Sequence, residues 1–146
     1  MAIEKYLVVA DVLCSREFPA EDGGWDTGIG GPGYRTAELA ASHGLPVADA
    51  AVRAMEAERL YEDREALAAG LTERWGEPFL MGLQTIRLRI ATEAIPEPWA
   101  RLSHLVPDVY VWQEPERGRW IVLGVADRDR ADEIRLLLTV TETDPP

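Results

Sequence analysis

The sequence predicts an α+β domain: a mostly antiparallel sheet of about four to five strands with a long amphipathic helix packed on one face. Three observations predict it. Apolar residues recur at helical spacing from Val47 to about Trp75. The clearest strand-like runs gather after that segment instead of alternating with helices, which separates α+β from α/β. Two of those runs flank a turn-forming stretch and read as a hairpin. At 146 residues the chain is one domain by length, 1–146, and can build a core without covalent staples.

Taken in order, Tyr6-Leu7-Val8-Val9-Ala10-Asp11-Val12-Leu13 is short, apolar and β-branched, and reads as a strand covered on both faces. Residues 14–34 read as a long Gly-rich loop, with Gly23, Gly24, Gly28, Gly30, Gly31 and Gly33 beside Pro19 and Pro32. A loop of that length in a small domain is functional or mobile, and Trp25 is the residue that would tie it down. Thr36 is placed to cap a short helix, Ala37 to Ala41, with Gly44 as its stop. Pro46 then opens the long helix. Its apolar face is Ala48, Val52, Met55, Leu60, Leu67, Leu71 and Trp75, its polar side carries Glu56, Glu62, Asp63, Glu65 and Glu73, and Gly76 and Pro78 end it. Ile86, Leu88 and Ile90 alternate with Arg87 and Arg89 as in a half-buried strand. Residues 96–106 suggest a short helix that ends at Pro107. Val109–Gln113 and Arg119–Ala126 flank the hairpin signal Glu114-Pro115-Glu116-Arg117-Gly118, and Arg135–Glu142 supplies the last strand.

Fifteen Lys and Arg against 26 Asp and Glu give a net charge of −11. The excess is even: −4 in residues 1–34, −4 in 35–78 and −3 in 79–146. Such a field repels nucleic acid and anionic membranes and attracts cationic partners. A single cysteine, Cys14, excludes an internal disulfide or a multi-Cys zinc site, and His43 and His104 leave little for a metal centre. No cofactor is expected. No apolar run approaches the ~18 residues of a membrane span, and residues 1–14 lack the pattern of a secretory signal, so a cytoplasmic protein is the expectation.

Several short motifs invite chemistry. Gly28-Ile29-Gly30-Gly31-Pro32-Gly33 spells G-x-G-x-x-G, but it follows the first apolar run at a distance, and Pro32 removes an amide that a pyrophosphate would need. Arg87 and Arg89, two apart on one strand face, are spaced to clamp a carboxylate or phosphate. Trp99, Tyr110, Trp112 and Trp120 fall close together and favour a core cluster. Trp112 and Trp120 share a face only if the hairpin loop has an odd number of residues. Neither Cys14 with a histidine nor Ser103-His104 has a third member that makes a triad. Asp127 to Glu133 places an aspartate, not glycine, at the sixth position of a calcium loop, and reads as a charged turn.

Thr36 to Tyr61 resembles the helix-turn-helix of winged-helix transcription regulators. Its second helix, however, carries Asp49, Glu56 and Glu58 against Arg53 and Arg59, the wrong balance for phosphates. Arg74-Trp75-Gly76-Glu77-Pro78, the run Gly118 to Val125 and the Leu-rich last strand resemble stretches of small acidic uncharacterised bacterial proteins, some of toxin–immunity type. That resemblance implies a compact α+β domain that acts by binding. The expected function is therefore a non-enzymatic acidic binding or inhibitor protein that docks a basic protein, with Glu62 and Asp63 on the acidic helix face. The alternative is a small-molecule-binding protein or enzyme with a site between the Gly-rich loop and the sheet, formed by Asp26, Arg87, Arg89 and Trp112.

Overall fold

A computed structural model of the chain describes residues 3–15, 17–18, 23–25, 28–42, 50–128 and 133–146. The elements run α1 (Ile3–Ser15), β1 (Gly23–Trp25), β2 (Gly28–Gly31), β3 (Tyr34–Ala41), α2 (Ala50–Trp75), β4 (Phe79–Gly82), α3 (Gln84–Arg89), α4 (Trp99–Leu105), β5 (Asp108–Gln113), β6 (Trp120–Ala126) and β7 (Arg135–Thr141). All strands join one sheet in the order β1-β2-β3-β7-β6-β5-β4, and every neighbouring pair is antiparallel. The fold is thus α+β, with six strands of at least four residues and a three-residue edge strand, more than the four to five expected.

Two meanders build the sheet. β1 to β3 form the first, and α2 then carries the chain to the opposite edge, where β4 begins the second. That meander returns strand by strand until β7 pairs with β3, closing the sheet at its middle. Buried Thr36 and Thr139, across that joint, share a hydroxyl–hydroxyl hydrogen bond at 2.7 Å.

Strand alternation sends side chains to two separate cores. On one face Ile121, Leu123, Val125, Leu136, Leu138 and Val140 pack beneath Ala10 and Leu13 of α1 and Leu60, Leu67 and Leu71 of α2. On the other, Val109, Val111, Val122 and Leu137 meet Ile86 of α3 and Trp99 and Leu102 of α4. The long helix lies on one face as expected, but helices cover both. α1 and α2 are joined by the ion pair Arg74–Asp11, and Gly70 lets Leu7 approach so closely that an added Cβ would stand 3.2 Å from its Cδ2. Among the described residues no helix is long and apolar enough to cross a membrane.

Four sequence expectations are corrected. Tyr6–Leu13 lies in helix α1: Ala10, Leu13 and Cys14 are buried at helical spacing, while Glu4, Val8, Asp11, Val12 and Ser15 face outward. Residues 37–41 belong to strand β3, which pairs with β7 along this stretch and with β2 up to Ala37, with a register shift between Glu38 and Ala40. The sheet's demand for a strand outweighs the helix preference of Ala, Glu and Leu. Ile86–Arg89 lies in helix α3 and Ile90 caps it; at six residues the helix is too short for its periodicity to be told from a strand's. The segment 14–34 is not one loop: it holds the end of α1, then β1 and β2. Its G-x-G-x-x-G becomes a β-hairpin, in which Pro32 is followed by Gly33 at φ +82° and no helix begins. With β3 a strand, the helix-turn-helix resemblance also fails. Pro46 and the start of the long helix lie outside the described residues, as do His43 and residues 129–132 of the charged turn.

The second hairpin matches expectation. Gln113 pairs with Trp120, leaving the even loop 114–119, so Trp112 and Trp120 point to opposite faces. Trp112 is 2% exposed in the first core and donates its indole N–H to Gly76 O at 3.0 Å. Trp99 is wholly buried in the second, donating to Thr143 O.

Candidate functional site

Three places bring chemistry-bearing side chains together. The first is the outer ridge of α2. Leu60, Arg64, Leu67, Ala68 and Leu71 face inward, which fixes the helix rotation and turns Glu58, Glu62, Glu65, Ala69 and Glu73 outward at steps of three or four residues. Met55, one turn before Glu58, is 70% exposed. Glu58, Glu62 and Glu73 are exposed and enter no ion pair among the described residues.

Beside the ridge, a second cluster pins α2 to the sheet. The guanidinium of Arg64 lies 4.8 Å from the Tyr61 ring centre and 4.9 Å from that of Tyr110. It donates to Asp108 at 2.8 Å and to Glu65 at 3.2 Å. Tyr110 donates to Glu65 at 2.8 Å, and Tyr61 to Asp127 at 2.9 Å. Burial first, and the bond to the Asp127 carboxylate second, hold the Tyr61 phenol far above its ordinary range. Every charge here is matched to a neighbour within the fold, so the cluster orients α2 and offers little to a ligand.

The third is an open groove of about 630 Å³ between the β2–β3 hairpin and α4. Its strand side is Ile29, Gly30 and Tyr34; its helix side is Ala100, Arg101 and His104; Ile90 and Glu97 complete it. The groove exists because α4 covers the sheet's middle and stops short of β2. Trp99, Leu102 and Ser103 turn inward, so their helical neighbours Ala100, Arg101 and His104 turn to the groove. The Glu97 carboxylate accepts the Arg101 backbone N–H at 3.2 Å and so satisfies the first turn of α4.

The residues nominated from sequence do not converge. Asp26 lies outside the described residues. Arg87 and Arg89 sit on a helix, not a strand. Arg87 is exposed, and Arg89 is committed to Glu93 at 2.8 Å, so they form no clamp. Trp112 is inside the core rather than on a binding floor. Glu62 is exposed on the α2 ridge, while Asp63, half-buried, faces Tyr6 and helps raise that phenol's pKa behind the larger effect of burial. Cys14 is buried and its thiol is pushed up to about 12, chiefly by desolvation and then by the nearby Glu114 and Asp11 charges. It is held as a thiol, the unreactive form. Sequence reading missed Arg101 and Tyr34. Arg101 and His104 were legible as the polar side of a helix whose other side is Trp99 and Leu102; Tyr34 depended on the β2–β3 hairpin, which the glycines concealed. Among the described residues, no three His, Cys, Asp or Glu side chains group as metal ligands.

No family model, curated protein or solved structure matches the chain.

Proposed function

We propose that this is a non-enzymatic binding or inhibitor protein, of immunity type, that docks a basic protein through the outer ridge of α2. The observation that carries this reading is the row of exposed Glu58, Glu62 and Glu73, without an ion pair among the described residues, beside the exposed Met55. A row of uncompensated like charge costs stability within one chain and gains it on meeting a cationic surface. An apolar side chain amid such charges supplies the desolvated anchor that most protein interfaces need. With a net charge of −11 behind it, the ridge would accelerate association with a basic partner and make the rate fall with salt.

The test is co-expression with the products of adjacent genes, followed by purification at low and high salt. The expected result is a basic protein retained at low salt, released at high salt, and lost with the triple variant E58K/E62K/E73K. Retention by that variant, or no partner at either salt, overturns the reading.

A second reading, a small-molecule-binding protein with its site beside the Gly-rich segment, is favoured by the groove. Its volume falls within the ~300–1,000 Å³ of ligand sites. On this reading the facing wall is α4, and neither Arg87 nor Arg89 takes part.

A further inference from the structure

Building on that second reading, we propose that the groove between the β2–β3 hairpin and α4 binds a small amphipathic carboxylate, its charged end held by Arg101 and His104 and its apolar body on Ile29, Ile90 and Ala100. The polarity of the groove is divided in that way. Ile29 projects from β2 on the same sheet face as Tyr34, and Gly31, across the ladder from Tyr34, adds no side chain to fill the space. Ile90 and Ala100 extend this apolar lining toward the helix.

The polar end comes from α4. Arg101 and His104 are three residues apart, so they lie side by side on the helix face that lines the groove. Neither enters an ion pair among the described residues, although several other arginines, such as Arg59, Arg64, Arg74 and Arg89, are paired with carboxylates. Glu97, the acid that lines the groove with them, spends an oxygen on the Arg101 backbone amide.

A guanidinium presents a planar pair of donors that matches a carboxylate, and an imidazole N–H adds a third. One fixed cation within a strongly acidic protein suits a single negative charge better than a phosphate or a polyanion. Apart from Glu97 and the Tyr34 hydroxyl the rest of the lining is apolar or glycine, which suits a charge attached to a hydrocarbon body.

Three probes separate the contributions: octanoate below its micellar range, octanamide, which keeps the body without the charge, and acetate, which keeps the charge without the body. Each is titrated into the full ¹⁵N-labelled chain and followed by amide shifts. The expected result is saturable movement of residues 29–34 and 100–104 with octanoate, and binding at least about tenfold weaker with either control. Arg101→Gln is expected to weaken octanoate by about tenfold and leave octanamide and the melting temperature unchanged, while Ala100→Trp fills the groove and abolishes both. Octanamide binding as tightly as octanoate, or an unaltered Arg101→Gln, overturns the carboxylate assignment while leaving a ligand site. No saturable shift at these residues with any probe overturns both.

Discussion

The guanidinium of Arg64 hydrogen-bonds the carboxylate of Asp108 at 2.8 Å, and this contact ties the middle of the long helix to the first residue of β5. Tyr61 and Tyr110 flank the guanidinium, and its buried Nε meets no acceptor among the described residues. A cation so enclosed is stable only while its carboxylates stay in place. Arg64→Met keeps the apolar stem but leaves Asp108 and Glu65 without their cation. Their side chains are 42% and 53% exposed, so water rehydrates them. The expected loss is about 2 kcal/mol, below the 3–5 of a fully enclosed pair. Urea denaturation measures it, and a variant as stable as the parent would show the pair to be dispensable.

Gly124 marks the closest approach between β6 and the α4–β5 connection. A Cβ there would stand 2.6 Å from Val106 Cγ1, 2.9 Å from Val109 Cγ1 and 3.1 Å from the Asp108 carbonyl oxygen. Val106 and Val109 are both fully buried and have nowhere to move. Gly124→Ala should therefore cost about 2–3 kcal/mol by overpacking, despite the alanine's better strand preference. The pair Gly124→Ala with Val106→Ala should cost less than the two changes summed, because the second relieves the first. Strict additivity by thermal denaturation would contradict this account.

The same close packing explains what sequence could and could not show. The long helix, α4 and the β5–β6–β7 meander were legible because each has a clear period and its own stop signals, such as Gly76 with Pro78 or Glu114 to Gly118. The strand at 34–41 was not, since Ala37, Glu38, Leu39 and Ala40 favour helix and only pairing with β7, joined by β2 at Ala37, makes them a strand. Helix α1 was hidden by Val8 and Val12, which are 60% and 43% exposed and so blur its apolar stripe. The acidic side of α2 could be read from the glutamate spacing. The groove could not, because it depends on where α4 ends over a hairpin that the glycine pattern disguised.

Glu114 closes the second hairpin. Its carboxylate is buried, and it accepts the backbone N–H of Glu116 at 2.6 Å and of Arg117 at 2.7 Å. Gly118, at φ +69°, returns its own N–H to the Glu114 carbonyl. A charged acceptor that serves two amides contributes more than a neutral one. Glu114→Ala is expected to lose about 2 kcal/mol, and Glu114→Gln, with a single acceptor oxygen, about half of that. Equal losses in denaturant titrations would show that side-chain volume, and not the turn's amides, accounts for the effect.

Alkaline pH should destabilise this protein, with Cys14 and Tyr61 contributing most and Tyr6 and Tyr110 less. Cys14, 6% exposed, has its thiol raised from 9.0 to about 12, first by burial and then by Glu114. Tyr61 is raised from 10.0, first by burial and then by its bond to Asp127. For both groups the native state holds the proton more tightly than the unfolded chain, so the stabilisation is complete below pH 9. Above pH 9 the unfolded thiol ionises while the native one does not, and stability falls by up to about 1.4 kcal/mol per pH unit for that group until about pH 12. Tyr61 adds to the slope from pH 10 upward. Urea midpoints collected from pH 7 to pH 11 should hold level and then drop. Cys14→Ala is expected to flatten the fall between pH 9 and 10, and Tyr61→Phe to flatten it above 10, at a cost of about 1 kcal/mol at neutral pH for the lost bond to Asp127. Native Cys14 should also resist a thiol reagent at pH 8 and react at once in urea. Rapid labelling of the folded protein, or an alkaline slope unchanged in both variants, would show that the thiol and the phenol are not buried as protonated groups.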